Sequence, residues 1–421
     1  MAKIFAYYIL AKTLSANFAD VSIMTMFKKF GLLPRVIVAI ILGLLLGQVA
    51  DQIVGGIVFV RVFATFNDLF GQYLGFCIPL IILGLVAPGI ADLGKSGGRL
   101  LLLTVVLAYL FTLFAGFFAY FSCSAIFPGL LGDSLSQNDT TAVTESVNLL
   151  KGFFTLEIPP VFGVMTALVL AFTLGIGMTL LEGNTLKNGF LEFRTIIEKV
   201  ITATIIPLLP LHIFGLFLRM AQSGQAFEII ADYGKVIAVI FILHLVLLLL
   251  QFSFAGIVAR RNPLRMLLTM LPAYMTALGT SSSAATIPVT LRQAKKLGVK
   301  EDIADFCIPL CATIHLAGST LKITAMALAI CMMNEMPHNF AMFAGFIFLL
   351  GVMMVAAPGV PGGAIMAAIG VLQSVLGFGE AQITLMIALY IAIDSFGTAG
   401  NVTGDGAITV IVDRIASTPD K

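Results

Sequence analysis

Charge is what this sequence lacks most. Of 421 residues only 11% are Asp, Glu, Lys or Arg, against about 25% in an ordinary soluble domain. That is too few to coat a globule of this size in water, so a soluble enzyme is excluded. The charges nearly cancel, at a formal +2, which leaves neither a basic footprint for nucleic acid nor an acidic tail. Cysteine and histidine are scarce, five and four, and no C-x-x-C pair occurs among them. A disulfide framework and a zinc ribbon drop out with that spacing. What fills the chain instead is apolar, 59% of it. It reads as an integral, multi-pass membrane protein.

Residues 1–30 mix Lys3, Lys12, Lys28 and Lys29 with short apolar patches, and no small-residue cleavage site follows a compact apolar core. They read as an amphipathic lead-in rather than a secretory signal. A true start at Met24 or Met26 is the other reading.

A spanning helix needs about 20 mostly apolar residues. Runs of that kind cover roughly 33–54, 66–91, 98–127, 159–181, 188–220 and 226–258. The pattern then changes: 263–290 holds a short apolar run, a Ser/Thr cluster and Pro288. A helical stretch follows at about 302–334. The apolar run 340–376 is broken by Pro358-Gly359-Val360-Pro361-Gly362-Gly363, and 380–412 carries Asp394, Asn401 and Asp405.

Lys and Arg in short loops mark the cytoplasmic side. Lys28, Lys29, Arg35, Lys95, Arg99, Lys187, Arg260, Arg261 and Arg265 alternate with the loop 128–157, which holds Asp133, Asp139, Glu145 and Glu157 against one Lys151. This predicts cytoplasmic termini and an external 128–157 loop. The Ser-rich segment lies between two basic loops, the second with Arg292, Lys295, Lys296 and Lys300. It must therefore enter the bilayer and return, with Ser281, Ser282 and Ser283 near its tip. The segment 340–376, between Glu335 and Glu380, does the same from outside. Two re-entrant hairpins of opposite origin, each followed by a spanning helix, predict an inverted repeat. Broken backbone at membrane depth is tolerated only where buried or lining a cavity, and in transporters it marks the midplane site.

An acid at the centre of a span costs about 2.5–3.5 kcal/mol on insertion scales, so Asp394 and Asp405 point to function or pairing. From Asp394 to Asp405, polar side chains recur at spacings of three, four and seven, close to one helix face. Gly397, Gly400, Gly404 and Gly406 let backbone or ligand approach, or open the helix.

Thr280-Ser-Ser-Ser-Ala-Ala-Thr-Ile-Pro-Val-Thr290 resembles the serine-rich first hairpin of the dicarboxylate/amino acid:cation symporter family, the glutamate-transporter group. Gly359-Val-Pro-Gly-Gly-Ala-Ile365 resembles its second hairpin, and Asn401-Val-Thr-Gly-Asp405 its last-helix motif. The likeness runs from about 33 to 415. It implies an all-α membrane protein with eight transmembrane helices, two re-entrant hairpins and an inverted-repeat elevator architecture. It further implies a homotrimer in a bacterial plasma membrane, driven by co-transported sodium, with no organic cofactor and no enzymatic activity. By this likeness 31–258 holds helices one to six: one, two, four and five form the scaffold, while three and six join the moving unit. Residues 259–415 form the transport core, and 416–421 a tail.

The resemblance assigns the substrate carboxylate to Ser281, Ser282, Ser283 and Asn401, which agrees with the positive dipole end at a half-helix start. It gives the substrate amine to Asp394, the pocket wall to Thr398 and Ser319, and the gate tip to Val360, Pro361 and Gly362. One sodium site takes Asp405 with carbonyls of Asn401, Cys311 and His315. The second takes carbonyls of Thr313, Met354, Val355 and Ala357. Oxygen cages of this kind suit a small hard cation.

The departures are informative. Members that carry acidic substrates have an Arg where this chain has Gly397, and an acid where it has Tyr390. The pocket is therefore expected to take a small neutral amino acid; a sodium- or proton-coupled carrier of dicarboxylates or acidic amino acids is the alternative. The helix-seven motif reads His315-Leu316-Ala317-Gly318-Ser319, without the acid of a third sodium site. Tyr109 and Thr112 match other ligands of that site, but Leu113 replaces a Ser, so the site is expected to be missing. His315 is open to two roles, a titrating imidazole or a neutral donor to a carbonyl. Cys307, Cys311 and His315 form a stripe without a fourth ligand, so packing is expected rather than zinc. Lys322 is open to snorkelling, to pairing with an Asp, and to acting as a fixed cation. An intramembrane aspartyl protease would bring two Asp together from separate helices, and a channel would repeat its filter by symmetry. Neither pattern is present.

Overall fold

The structure, a computed structural model, describes residues 32–95, 99–132, 150–223, 226–357 and 361–416. The lead-in, Asp133, Asp139 and Glu145 of the acidic loop, Val360 of the second hairpin and the residues after Ala416 lie outside that set. Among the described residues all regular structure is helical. With so apolar a chain this is what lipid demands, since a helix satisfies its backbone within itself. The protein is an all-α membrane protein.

Fifteen α-helices are numbered here in chain order: α1 (Leu32–Val49), α2 (Gly56–Lys95), α3 (Arg99–Leu130), α4 (Val164–Leu180), α5 (Thr185–Val200), α6 (Ile206–Gln222), α7 (Ala226–Ala259), α8 (Pro263–Thr280), α9 (Ser283–Lys296), α10 (Glu301–Ile314), α11 (Ala317–Met333), α12 (Phe340–Val355), α13 (Gly363–Leu376), α14 (Glu380–Ala392) and α15 (Asp394–Ala416). Among the described residues six stretches are long and apolar enough to cross a bilayer: Pro34–Gln52, Gly56–Ala91, Leu100–Leu130, Thr185–Gln222, Ala231–Ala259 and Glu301–Met333. A seventh is the pair α14 and α15, bent by 63°, and the shorter α4 coincides with the run read at 159–181. The two remaining helix pairs, α8 with α9 and α12 with α13, pack on each other as hairpins.

Several spans differ in detail from their sequence signal. The second begins at Gly56, ten positions before the apolar run, because helix continues through Arg61, Asn67 and Asp68. The fifth is two helices joined by a π-helical turn, Ile201–Ile205. Pro207 follows within the first turn of α6, and a missing N–H there favours such a local rewinding.

Outer and inner helices separate by burial. On α1, Ile41 and Leu45 are 49% and 57% exposed, as side chains facing lipid must be. By contrast α11 is buried at every position from Ala317 to Met332, Lys322 included. The last helix, α15, is buried from Asp394 to Val412 apart from Phe396. It packs against α3, α7, α8, α9, α10 and α11. So the helix that carries Asp394, Asn401 and Asp405 lies inside the protein. Elsewhere α1 packs on α6, and α2 packs on α4, α5 and α6.

Candidate functional site

The polar centre is built by the second hairpin's tip and two helix breaks around α15, with the first hairpin's two helices packed on α15. The first hairpin starts where Asn262 caps α8, its side chain accepting from Arg265 N at 3.0 Å, with Pro263 in the first turn. It turns at Ser281, which is left-handed at φ 49°, a conformation costing about 1–2 kcal/mol for a residue with a side chain. Ser282 then caps α9, its Oγ accepting from Ala285 N at 3.3 Å. Thr286 Oγ1 ties the turn back, donating to the Ser282 carbonyl at 2.8 Å. Ser283 is buried at the start of α9. The serine tip therefore sits where two antiparallel-running segments change hand, with the N-terminus of α9 opening beside it.

The second hairpin begins with Asn339, whose side chain accepts from Met342 N at 3.0 Å. It re-enters helix at Gly362, left-handed at φ 75°, where glycine carries no steric penalty. Pro361 precedes it, half-buried.

One break falls between α10 and α11, at His315 and Leu316. Here the freed N–H groups of Gly318 and Ser319 donate to Asn401 Oδ1 at 2.8 and 3.3 Å. Asn401 Nδ2 in turn donates to Ser319 Oγ at 3.1 Å, and the Tyr390 hydroxyl donates to the same oxygen at 2.9 Å. A Cβ on Gly318 would stand 2.7 Å from the Gly397 carbonyl, so α11 and α15 meet there backbone to backbone. Predicted pocket residues Ser319 and Asn401 are thus joined, and Tyr390 holds them from the side.

The other break, at Ile393, separates α14 from α15. Asp394 opens α15, where a negative charge suits the helix dipole. Its Oδ2 accepts from Gly362 N at 2.7 Å, which brings the tip of the second hairpin onto the carboxylate. Thr398 Oγ1 donates to the Asp394 carbonyl at 3.3 Å. Lys322 approaches from α11: its Nζ donates to the Ile393 carbonyl at 3.0 Å and the Asp394 carbonyl at 3.4 Å. The same ammonium stands 3.8 Å from Asp394 Oδ1 and 4.1 Å from the centre of the Tyr390 ring.

The geometry answers three points that the sequence left open. Lys322 does not snorkel, since its side chain is 1% exposed. And Gly397 does not leave room: a Cβ there would lie 2.3 Å from Lys322 Cε and Nζ. An Arg at 397 would have to displace an ammonium. Nor do the glycines unwind α15, which stays helical from end to end. They admit neighbouring side chains instead, Lys322 at Gly397, His244 at Gly400, and His315 with Gln251 at Gly404.

Asp405 lies about three turns beyond Asp394 on α15. His315 Nδ1 is 2.9 Å from its Oδ1, so the imidazole meets a carboxylate and not a carbonyl, while the His315 backbone N–H takes the Cys311 carbonyl at 2.9 Å. Asp405 Oδ2 is buried and finds no partner among the described residues. The same holds for His315 Nε2, Thr403 Oγ1, His244 Nε2 and both amide atoms of Gln251. Leaving such atoms unsatisfied in a core costs about 1–3 kcal/mol each, more for a charge. An orphaned carboxylate oxygen, with Gln251 reaching the neighbouring Gly404, fits a small cation. The second expected cation position is carbonyl-only. There the C-terminal end of α10, with Thr313, and that of α12, with Met354, Val355 and Ala357, supply the negative end of two helix dipoles, and Val355 packs on the cluster that holds Cys311 and Ile314.

His244 and Gln251 were not singled out in the sequence. Their signal was there: two polar residues seven positions apart, hence on one face, in the apolar run of α7. Cys307 instead turns its Sγ to Thr104 Oγ1 at 3.5 Å, and both Cys307 and Cys311 lie in an apolar cluster. Among the described residues no three His, Cys, Asp or Glu side chains gather as a metal cage. Tyr109 donates its hydroxyl to the Phe348 carbonyl at 3.2 Å and Thr112 back-bonds to the Ala108 carbonyl at 2.8 Å. Neither they nor Leu113 contributes a carboxylate. Asp394 and Asp405 are eleven positions apart on one continuous helix, about 16 Å by helical rise, and cannot share a proton as a proteolytic pair.

Comparison with known proteins adds sequence-wide evidence. The sodium:dicarboxylate symporter family matches residues 32–415. The serine/threonine transporter SstT of Streptococcus suis is 30% identical over 280 residues, 64% of this chain and 76% of the relative. The same-named transporter of Acinetobacter baumannii is 27% identical over 406 residues, 92% of this chain and 97% of the relative. Excitatory amino acid transporter 1 of Rattus norvegicus is 31% identical over 240 residues, 56% of this chain and 44% of the relative.

Proposed function

The chain belongs to the sodium:dicarboxylate symporter family, as a membrane transporter and not an enzyme, and on that premise we propose that it carries a small neutral amino acid together with sodium. The observation that carries the amino-acid reading is Asp394, a carboxylate 8% exposed that accepts from Gly362 N–H at the second hairpin's tip, with Thr398 bonded to its carbonyl. It offers an ammonium a charged acceptor, while the Ser281–Ser283 tip and Asn401 offer the α-carboxylate donors. Serine/threonine transport by two relatives, as their names state, supports the neutral side chain. So does the lack of an Arg at 397. The nearest cation, Lys322, has its hydrogen bonds directed to the Ile393 and Asp394 carbonyls.

Sodium coupling rests on Asp405 and on the carbonyl ends of α10 and α12. Without an acid at 317, fewer sodium ions are expected than in members with three sites. The packing of α1 on α6 and of α2 on α4, α5 and α6, with contact to α15 falling instead to α3 and α7–α11, supports a scaffold distinct from the α15 unit, hence an elevator movement within a homotrimer. The loop charges support cytoplasmic termini, and the bacterial relatives support a bacterial plasma membrane.

One observation favours the second reading, an acidic amino acid or dicarboxylate: the buried ammonium of Lys322, which sits within reach of a distal carboxylate. Competition separates the two. Serine, threonine and alanine are expected to displace bound label in proteoliposomes at least about tenfold better than aspartate or succinate, since an unmatched buried carboxylate costs several kcal/mol. The reverse order would replace the neutral reading with the acidic one.

A further inference from the structure

Lys322 is the one charged residue on the fully buried α11. A buried ammonium is costly unless paired and hydrogen-bonded. Here two N–H groups are directed to the carbonyls of Ile393 and Asp394, which are the buried C-cap of α14 and the first residue of α15. These suit a cation through the dipole of α14. The third faces the Tyr390 ring and the carboxylate of Asp394, whose Oδ1 is 3.8 Å away, beyond hydrogen-bond range.

Asp394 is therefore partnered asymmetrically. Oδ2 is closed by Gly362 N–H, while Oδ1 faces an ammonium one small movement short of contact. A lysine tail supplies that movement by rotation about its flexible stem, in space that exists because residue 397 has no Cβ. The fixed carbonyls at the helix break give the ammonium a second resting place.

We propose that Lys322 is a tethered cation that stands in for the substrate's ammonium on Asp394. When the pocket is empty it closes onto Oδ1 and leaves the pocket electrically neutral. When an amino acid arrives it withdraws to the Ile393 and Asp394 carbonyls and yields the carboxylate. Lys322 thus competes with substrate, lowering affinity, and it spares the empty carrier the exposure of a lone buried carboxylate on its return. This rests on the reading that Asp394 receives an ammonium.

Two measurements test it. In Lys322→Met, whose unbranched side chain fits beside Gly397, serine should bind about tenfold tighter. Exchange of internal for external serine should persist, while net uptake into serine-free vesicles should fall about tenfold or more, because the empty carrier must now move with Asp394 unpaired. In the unmodified protein, replacing serine by its 2-hydroxy acid, glycerate, should weaken competition only about tenfold, since Lys322 takes over Asp394; in Lys322→Met the same replacement should cost about a hundredfold or more. Equal losses of exchange and net uptake in the variant, or a hundredfold penalty for glycerate in the unmodified protein, would overturn the role of Lys322 alone. If the variant fails to fold, the glycerate measurement decides. If the unmodified protein exchanges no serine, the amino-acid reading falls, and this inference with it.

Discussion

Asp394→Asn is expected to abolish amino-acid uptake, by about a hundredfold or more, in a protein that still folds. Removing one partner of a buried charge pair costs about 3–5 kcal/mol, and here two cations depend on the same carboxylate. The substrate's ammonium would lose its acceptor, and Lys322, 3.8 Å from Oδ1, would become an unmatched buried charge. The Asn oxygen retains the bond from Gly362 N–H, so the hairpin tip keeps its anchor. Labelled-serine uptake in proteoliposomes, with detergent-solubilised protein checked for a single folded species, reads the effect. Uptake within about threefold of the unmodified protein would remove Asp394 from the pocket.

The second large effect belongs to Asp405. Asp405→Asn preserves an oxygen for His315 Nδ1, now at 2.9 Å from Oδ1, but removes the charge from the buried, unpartnered Oδ2. A hard cation held mainly by neutral oxygens binds far more weakly than one with a carboxylate. The sodium concentration for half-maximal uptake should rise about ten- to a hundredfold, with serine affinity at saturating sodium changed much less. An unchanged sodium dependence would break the link between Asp405 and the driving ion.

The sequence made much of this readable, for physical reasons that can be traced. Long apolar runs define spans because lipid accepts nothing else. The hairpins declare themselves where Ser281–Ser283 and Pro361–Gly362 interrupt apolar sequence between loops that differ in charge. Asp394, Asn401 and Asp405 stand out because polar groups in a span are costly. What stayed hidden depends on contacts between distant elements. Nothing local in Ile393 announces a break; α14 ends there with its carbonyl taken up by Lys322 from another helix. Gly397 marked a place for backbone or ligand and not for Lys322, because a glycine states that something comes close and not what. The pairing of His315 with Asp405, rather than with a carbonyl, is likewise a matter of where α10 ends against α15. His244 and Gln251 were spelled out at helical spacing, but in a run whose length drew attention to the bilayer instead.

The most direct test of the account is serine uptake into proteoliposomes with sodium and proton gradients imposed separately at zero membrane potential. An inward sodium gradient alone is predicted to drive serine above its external concentration, and a proton gradient alone to add little. Accumulation that follows the proton gradient and ignores sodium, or none under either gradient, would contradict it.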